Sequence, residues 1–405
     1  MHLALRRPVV TSALALLCAC GPDLDTPDAV IVDVPQADET ETDEAELATL
    51  SPSDRIIVWQ QNIEAMKAGA APASRLTARM LAYTYRPDIV ILQEAWQNVL
   101  CGDYANPAAK GDVELMNWRG SPKDARGLAT GCRNGDPLPG SVLARLGRGL
   151  WGGVKNVGHR RPWDDKLGST SRTGTAIAWD ERRFVLEDAF KYDDSMVPGC
   201  PTTLSDYKRV AVLLRDTRRT ADTSDDRLVA VASAHYGSAC RASSNEFVAE
   251  EMVRRWSTFG ARALSLRIIA GDFNTEVDTV SANYPARRRE LNPEGWYRDF
   301  TENTDWRGGK FVDAVAARNS NSGGDAAKLC GQWTYPNVSS CAAKTACSDT
   351  CAGWGIGGKL MRLDYVFVSN GKGTLSPSRI IAAQTDDESA SYSDHKAVRV
   401  SLSVE

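Results

Sequence analysis

Short apolar runs that do not alternate with polar residues recur along this chain, and they constrain its fold more than any other feature. A run that is apolar at every position suits a strand whose two faces are both covered. Between some of these runs, residues 73–85 and 246–259 carry apolar residues at helical spacing. The sequence therefore predicts an α/β fold in which a mixed sheet is layered with helices. The strand-like runs lie at residues 56–59, 88–92, 209–215, 228–234, 266–270, 365–368 and 397–402.

One hairpin and two long loop segments complete the predicted layout. Residues 175–179 and 184–186 are strand-like and are separated by a charged turn, which predicts a β-hairpin. Residues 101–170 are rich in glycine, proline and arginine, and residues 275–360 are also loop-rich in composition. Both segments are therefore predicted to be loop regions or insertions around the strands.

The N-terminus has the pattern of a targeting segment. Arg6 and Arg7 precede an apolar stretch at 9–19, which is too short to span a bilayer and suits the core of a signal peptide. The stretch ends at Cys20 in a sequence that resembles the bacterial lipobox. Residues 1–20 are therefore predicted to be a lipoprotein signal peptide with Cys20 as the lipidated residue, and a plain secretory signal is the alternative. Either form predicts export, to the cell envelope or to the medium.

Charge is distributed unevenly along the chain. Residues 21–50 are acidic and nearly free of aromatic residues, which predicts a disordered tether, because such a segment buries too little apolar area to fold. The first 50 residues hold two basic and ten acidic side chains of the 48 and 52 in the chain, which leaves 46 basic and 42 acidic residues. The predicted folded domain, residues 51–405, is therefore mildly basic. That balance suits an anionic substrate and excludes a pure nucleic-acid binder.

Eight cysteines follow Cys20, and an even number in an exported chain favours disulfides. Zinc binding is an alternative for the last three, but no histidine lies near them and an oxidising compartment favours disulfides. The eight are Cys101, Cys132, Cys200, Cys240, Cys330, Cys341, Cys347 and Cys351.

Polar residues that are able to take part in catalysis stand at the ends of the predicted strands. In α/β folds the ends of strands at one sheet edge are where sites are placed. If the last two strands run opposite to the others, all these groups meet at one edge. Those that follow a strand are Asn62, Glu94, His235, Asp272 and Asn274, and those that precede one are Asp364, Asp394 and His395.

The oxygen-bearing members of this set suit the cleavage of a phosphodiester. A hard cation such as Mg²⁺ takes oxygen ligands and keeps several waters, so Glu94 with Asn62 nearby fits a metal site. Asp272 and Asn274 are two positions apart, so they point to the same side of an extended segment. There they can orient an attacking water and hydrogen-bond the phosphoryl oxygens.

Two histidines add proton transfer to this set. His235 and His395 can change protonation near neutral pH, because an unperturbed imidazole titrates at about 6.5. A carboxylate such as Asp364 can hold one imidazole in the productive tautomer. Each residue alone is weak evidence, and the ordered set at strand ends carries the hypothesis.

The ordered set resembles the endonuclease/exonuclease/phosphatase superfamily, which includes deoxyribonuclease I, abasic-site endonucleases, sphingomyelinases and inositol polyphosphate phosphatases. The resemblance covers residues 54–405 and implies a four-layered α/β sandwich with two packed mixed β-sheets flanked by helices. It rests on Gln-Asn-Ile at 61–63, Leu-Gln-Glu at 92–94, the strand that ends at His235, Gly-Asp-Phe-Asn at 271–274, Leu-Asp-Tyr at 363–365 and Ser-Asp-His at 393–395.

The resemblance also implies a cofactor and the groups that would use it. Mg²⁺ is the expected cofactor, and Mn²⁺ or Ca²⁺ would also fit. Asn62 and Glu94 would lie at the metal, and Asp394 would lie at the metal or brace the site. Asp272 and Asn274 would contact the phosphate and the nucleophile.

For the histidines, the resemblance implies a couple between His395 and Asp364, with His395 as the general base. Members of the superfamily differ over whether the histidine or an aspartate activates water. His235 resembles the second histidine of the deoxyribonuclease and sphingomyelinase branches, where it would protonate the leaving oxygen or bind phosphate. Abasic-site enzymes lack that histidine, which argues against their branch.

The substrate stays open among three phosphoesters, of which nucleic acid is the first choice. A sphingomyelinase-like phospholipase would need an exposed apolar hairpin, whereas Trp118, Trp151 and Trp163 are scattered among glycines and arginines. An inositol-type phosphatase is the third reading, and a non-catalytic surface-binding lipoprotein is the alternative of a different class. A nuclease needs cations that neutralise phosphates, and the first insertion holds Arg119, Lys123, Arg126, Arg133, Arg145, Arg148, Lys155, Arg160, Arg161 and Arg172.

Overall fold

The structure of the protein, a computed structural model, describes residues 47–63, 76, 78–96, 151–160, 172–193, 196–200, 209–235, 241–274, 297, 300–301, 308–320, 334, 362–371, 375–386, 393 and 395–404. Within these ranges the strands are β1 (Arg55–Asn62), β2 (Ile89–Trp96), β3 (Trp151–Arg160), β4 (Arg172–Asp180), β5 (Phe184–Tyr192), β6 (Arg209–Asp216), β7 (Arg227–His235), β8 (Thr258–Phe259), β9 (Arg262–Asp272), β10 (Val312–Asp313), β11 (Asp364–Ser369), β12 (Ile380–Thr385) and β13 (Val398–Ser403). The helices are α1 (Arg241–Trp256) and α2 (Ala314–Ser320), with a 3₁₀ turn at Pro377–Arg379.

The described strands form two mixed sheets. In the first sheet, of six strands, the order is β12-β13-β1-β2-β4-β3, and β1 runs parallel to β2 and antiparallel to β13. In the second sheet, of seven strands, the order is β10-β11-β9-β7-β6-β5, with β8 beside β9. There β9 runs parallel to β7 and antiparallel to β11. β11 and β13, the strands that follow Asp364 and His395, thus run opposite to β9 and β1. This direction lets the polar groups at the ends of all these strands meet at one edge of the sheets.

The two sheets pack face to face because their strands are apolar on both sides. Along β6, Val210, Val212 and Leu214 join the core that both sheets share, whereas Ala211 and Leu213 face the opposite side. The outer face of the second sheet is covered by α1, whose residues 248, 249, 252 and 256 are buried there. This alternation explains the unbroken apolar runs of the sequence.

A helical segment that includes residues 76 and 78–82 covers the outer face of the first sheet. Leu76 and Met80 are buried, and Tyr83 meets the ring of Trp59 edge-on at a centroid distance of 5.8 Å. Helical segment, first sheet, second sheet and α1 make four layers, so the predicted four-layered α/β sandwich is confirmed. Within the described residues, no helix combines the length and the apolar character needed to span a membrane.

The predicted hairpin at 175–179 and 184–186 is wrong. β4 belongs to the first sheet and β5 to the second, so the short turn between them carries the chain from one sheet to the other. A hairpin partner is excluded because β4 already pairs with β2 on one side and β3 on the other. Arg183 in the turn is fully buried and donates two hydrogen bonds to Asp216, at 2.8 and 2.9 Å.

The predicted loop segments contain further secondary structure. Residues 151–160 form β3, which pairs with β4 at the edge of the first sheet, and residues 312–320 form β10 and α2. An edge strand pairs on one side only, so it needs little apolar sequence, and the glycine-rich β3 has few apolar residues.

The predicted helix at 246–259 begins earlier, at Arg241, and ends at Trp256. Residues 47–50 begin the described body, and Leu47 is buried.

Asp180 lies in an ionic cluster at the edge where β1 begins. It accepts hydrogen bonds from the Arg182 side chain at 3.0 and 2.9 Å and from Arg219 at 2.9 Å. Burial raises the pKa of this carboxyl, but the hydrogen bonds from Arg182 and the charge of Arg219 outweigh burial, and the pKa is lowered.

Replacing Asp180 with asparagine is expected to lower the unfolding free energy at pH 7 by roughly 1–3 kcal/mol, the scale of hydrogen bonds to a charged group. Because the folded pKa is depressed, the carboxylate stabilises the fold above its unfolded pKa of about 3.9, and this contribution is lost as the pH falls through the folded pKa. Urea unfolding between pH 7 and pH 3 measures it. A gap between the wild type and Asp180→Asn that is equal at every pH would contradict the assignment.

Candidate active site

The polar groups of the site continue the inward-facing rows of the strands. On β1, Ile56 and Val58 belong to the shared core, and Gln60 and Asn62 follow on the same face. The inward row of β9 ends at Asp272 in the same way. As the apolar part of each row stops, buried polar residues fill the space between the sheets at one edge.

The strand register brings the predicted residues to that edge. Asp272, at the end of β9, is opposite Asp364 at the start of β11 and beside His235 at the end of β7. Asn62 ends β1, and His395 precedes β13, which is antiparallel to β1.

Glu94 reaches the site through a β-bulge. On a regular strand Gln93 and Glu94 would point to opposite faces. Here the pairing of β2 with β4 shifts register between Leu92 and Ala95, and Glu94 has a positive φ of 51°. A left-handed residue in a bulge re-aims its side chain. Both Gln93 and Glu94 therefore contact residues of this edge.

Asn62 lies between two carboxylates. Its Nδ2 donates to Asp272 Oδ2 at 2.9 Å and to Glu94 Oε1 at 3.4 Å. All three side chains are buried, with at most 8% of any residue exposed. Asn62 thus holds the two acids side by side, and its Oδ1 is the atom that is able to bind a cation.

His395 and Asp364 form a hydrogen-bonded pair between the two sheets. His395 Nδ1 lies 2.7 Å from Asp364 Oδ2. Because an ionised carboxylate only accepts, the proton of this bond sits on Nδ1, and in a neutral ring Nε2 is then the nitrogen that carries the lone pair. Nε2 lies 3.9 Å from Asp272 Oδ2. The ring therefore presents its acceptor nitrogen to the carboxylates.

His235 faces the same carboxylates from the second sheet. Its Nε2 lies 3.7 Å from Glu94 Oε1 and 3.8 Å from Asp272 Oδ2. His235 therefore approaches this pair of carboxylates through Nε2, at distances longer than a hydrogen bond.

The loop after β9 depends on a close backbone approach. Gly271 has a φ of 156°, and a Cβ at this position would lie 1.9 Å from the carbonyl oxygen of Ala234. Asp272 Oδ1 accepts the backbone N–H of Asn274 at 2.7 Å. Asn274 is exposed and has a φ of 48°, so the structure links it to the cluster through its main chain.

Several residues that sequence reasoning missed support the site. Gln60 and Gln93 lie within strands β1 and β2. Gln60 could have been identified, because it is two positions before Asn62 and therefore on the same face of the strand. Thr334 Oγ1 accepts the backbone N–H groups of Leu363 and Asp364 at 2.9 and 3.1 Å. No local pattern could have identified Thr334, which is 30 positions from Asp364.

A buried ion pair is formed by Arg362, two positions before Asp364 in the chain. Arg362 donates to Asp313 at 2.5 and 3.2 Å, and the Tyr297 hydroxyl donates to the same carboxylate at 2.9 Å. Burial lowers the pKa of Arg362, but the charge of Asp313 outweighs it and the pKa is raised. Burial and the Asp313 charge raise the pKa of Tyr297 well above its usual value, so the phenol stays a donor.

Ser393 joins the two chain segments that carry Asn62 and His395. Its Oγ donates to the carbonyl oxygen of Asn62 at 2.6 Å and accepts the backbone N–H of His395 at 3.0 Å. Replacing Ser393 with alanine is expected to lower the unfolding free energy by about 1–3 kcal/mol, since two buried hydrogen bonds are lost. Chemical denaturation measures this. Unchanged stability would show that the contacts carry no net energy.

Some predicted residues lie outside the described ranges. Asp394 and Cys20 are among them, as are most of the basic residues of the first insertion and the cysteines other than Cys200. Cys200 is disulfide-bonded.

Two packed mixed sheets with carboxylates and histidines at one edge define a layered α/β protein with a candidate acid–base site. The sequence model of the Endonuclease/Exonuclease/phosphatase family matches residues 60–395, and the chain belongs to this family. The chain is therefore a phosphoesterase.

Solved structures of similar fold include enzymes and proteins of several organisms. The human Nocturnin catalytic domain with bound sulfate is 16% identical, with a TM-score of 0.46 over 88% of this chain and 96% of that one. A Bacteroides vulgatus endonuclease/exonuclease/phosphatase is 12% identical, with a TM-score of 0.44 over 87% and 99% of the two chains. TDP2 from C. elegans is 14% identical, with a TM-score of 0.42 over 86% and 75%. No curated protein matches the chain in sequence.

Proposed function

We propose that the protein is a divalent-metal-dependent phosphodiesterase, and that its substrate is nucleic acid. One observation supports hydrolysis of a phosphoester by acid–base catalysis most directly. His235 and His395 come from different sheets, yet the Nε2 atoms of both lie within 3.9 Å of the same oxygen, Asp272 Oδ2. Hydrolysis of a diester needs one group that takes a proton from water and another that gives one to the leaving oxygen. Two imidazoles around one carboxylate supply both.

The chemistry of the buried acids fits a hard cation. Glu94, Asp272 and Asp364 are at most 8% exposed, and up to three negative charges at one edge are costly to bury without compensation. A divalent cation is the suitable counter-charge for such a group of buried acids. Mg²⁺ prefers oxygen ligands, which Glu94 and Asn62 Oδ1 supply.

A second set of possible ligands is less suitable. Ligand atoms of Asp272, Asp364 and His395 all lie within 4.8 Å of one another. This closeness reflects the hydrogen bond between His395 and Asp364, which a metal at these atoms would break. We therefore assign the cation to Glu94 and Asn62, with Asp394 as a further proposed ligand, and reserve the other three for the reaction.

Each polar group of the site has its own role in the proposed hydrolysis. A cation held by Glu94 and Asn62 would neutralise negative charge on the phosphoryl group. His395, with its Nδ1 proton held by Asp364, accepts a proton from the attacking water at Nε2. Asp272 orients that water, and Asn274 binds a phosphoryl oxygen. His235 delivers a proton to the leaving oxygen.

The position of β3 supports a polyanionic substrate. Arg160 on β3 pairs in register with Arg172 on β4, and Thr173 on β4 pairs with Trp96 at the end of β2. These two arginines are thus placed at the edge of the first sheet where Glu94 lies. In a nuclease, arginines and lysines neutralise the phosphates of the nucleic acid, and these two positions supply arginines on strands of that edge.

The test assays the purified full chain, kept in mild detergent, with Mg²⁺ or Mn²⁺ on plasmid DNA, sphingomyelin and inositol polyphosphates. Nicking of DNA that chelator abolishes is the expected result. Intact DNA with cleaved sphingomyelin would replace the nuclease proposal by a phospholipase, and release of inorganic phosphate alone would replace it by a phosphatase. No hydrolysis of any substrate would favour a non-catalytic surface protein.

We also propose that the protein is exported and anchored through a lipid on Cys20. The support is the charged, apolar and lipobox-like order of residues 1–20. Metabolic labelling with a radioactive fatty acid should mark the wild type and not Cys20→Ala. Equal labelling of both would remove the anchor from the proposal.

A further inference from the structure

We propose that Gln60 is a positioning residue that holds Asp364, and through it His395, in the orientation that hydrolysis requires. This inference rests on the proposed function of the His395–Asp364 pair. Gln60 Nε2 donates to Asp364 Oδ1 at 2.9 Å, while the other oxygen of that carboxylate lies 2.7 Å from His395 Nδ1. Both carboxylate oxygens are thereby fixed, one on each side.

The orientation of the Gln60 amide follows from chemistry. An ionised carboxylate only accepts hydrogen bonds, so the NH₂ group must face Asp364. Gln60 is fully buried, and within the described residues its Oε1 has no hydrogen-bond partner. Burying an unsatisfied acceptor costs free energy. A side chain present only for packing would be apolar here, as Ile56 and Val58 are on the same row.

Gln60 is itself held by a chain of side-chain hydrogen bonds. Its Nε2 also donates to Gln93 Oε1 at 2.6 Å, and Gln93 Nε2 donates to Ser233 Oγ at 3.1 Å. Gln60 and Gln93 belong to the first sheet, whereas Asp364 and Ser233 belong to the second. The chain therefore ties the two sheets together at two points beside the site and prevents rotation of the Gln60 amide.

Loss of the Gln60 donor is expected to affect turnover and not substrate binding. Without the Gln60 donor, Asp364 is free to rotate about its side-chain bonds, and the His395 ring loses its fixed direction. Outer partners of active groups change activity by about 10–100-fold when they are removed. Since Gln60 is buried behind Asp364, kcat is expected to fall by that factor while KM changes little.

The experiment compares the wild type, Gln60→Met and Ile57→Val in the full chain, with bis(p-nitrophenyl) phosphate and Mg²⁺. Methionine keeps the volume and removes the donor, and Ile57→Val trims a buried residue on the same strand. Gln60→Met should lower kcat about 10–100-fold with KM nearly unchanged, and Ile57→Val should leave both unchanged. In an Asp364→Asn background, Gln60→Met should cause no further loss.

A spectroscopic measurement tests the contact without any substrate. The His395 Nδ1 proton, hydrogen-bonded to Asp364, should give a downfield proton NMR signal that His395→Gln removes. Gln60→Met should shift or broaden that signal, and Ile57→Val should preserve it. If Gln60→Met does not fold, Gln93→Met, which removes the restraint on Gln60, should give a smaller loss of kcat that also disappears in the Asp364→Asn background.

Three outcomes overturn the role of Gln60: an unchanged kcat, an equal loss in the Asp364→Asn background, or an unchanged His395 signal. A wild type that hydrolyses no phosphodiester would instead overturn the proposed function, and the NMR comparison would still decide whether Gln60 holds Asp364.

Discussion

Replacing Glu94 with glutamine is expected to lower kcat/KM for phosphodiester hydrolysis by about 10³-fold, which corresponds to about 4 kcal/mol of transition-state stabilisation. Glutamine keeps the shape and removes the charge that holds the divalent cation. The fold should tolerate the change, because it removes one of several like charges that are buried at the same edge. Loss of activity in a folded variant is therefore the expected result.

Thermal unfolding with and without Mg²⁺ separates metal binding from catalysis. A ligand that binds the folded state alone raises the melting temperature, so Mg²⁺ should raise Tm in the wild type and not in Glu94→Gln. Glu181→Gln, an exposed acid in the turn between the sheets, is the matched control and should keep both activity and the shift. Equal shifts in the wild type and Glu94→Gln would remove Glu94 from the metal site.

The predicted arrangement of the strand ends agrees with the structure for a simple reason. Asn62 and Asp272 end inward-facing rows of apolar residues, and Asp364 begins such a row on β11. The period of two that buries the core therefore also aims these groups between the sheets. The alternation of side chains along each strand and the direction of the strands were sufficient to predict that these residues meet at one edge. The fold class and the composition of the cluster could be predicted on that basis.

Features that depend on distant or irregular contacts could not be predicted. The bulge at Glu94 requires a positive φ that the string Leu-Gln-Glu does not indicate. The turn at Arg183 leads from the first sheet to the second because β4 already pairs with β2 on one side and β3 on the other. β3 has few apolar residues, so the sequence did not indicate that it was a strand. Gln60 and Asp364 are 304 positions apart, so their hydrogen bond has no local signal.

Replacing His395 with glutamine is expected to lower kcat by about 10²–10⁴-fold, the usual contribution of a positioned proton acceptor. Asp364→Asn should act almost as strongly, because an amide that donates to Nδ1 would leave the proton on Nε2, where the ring can no longer accept one. Since the two residues act as one unit, the double variant should be little worse than either alone. The measurement is kcat for all three with circular dichroism as a check of folding. Additive losses, or a folded His395→Gln within tenfold of the wild type, would assign water activation to another group, such as Asp272, which lies 3.9 Å from His395 Nε2.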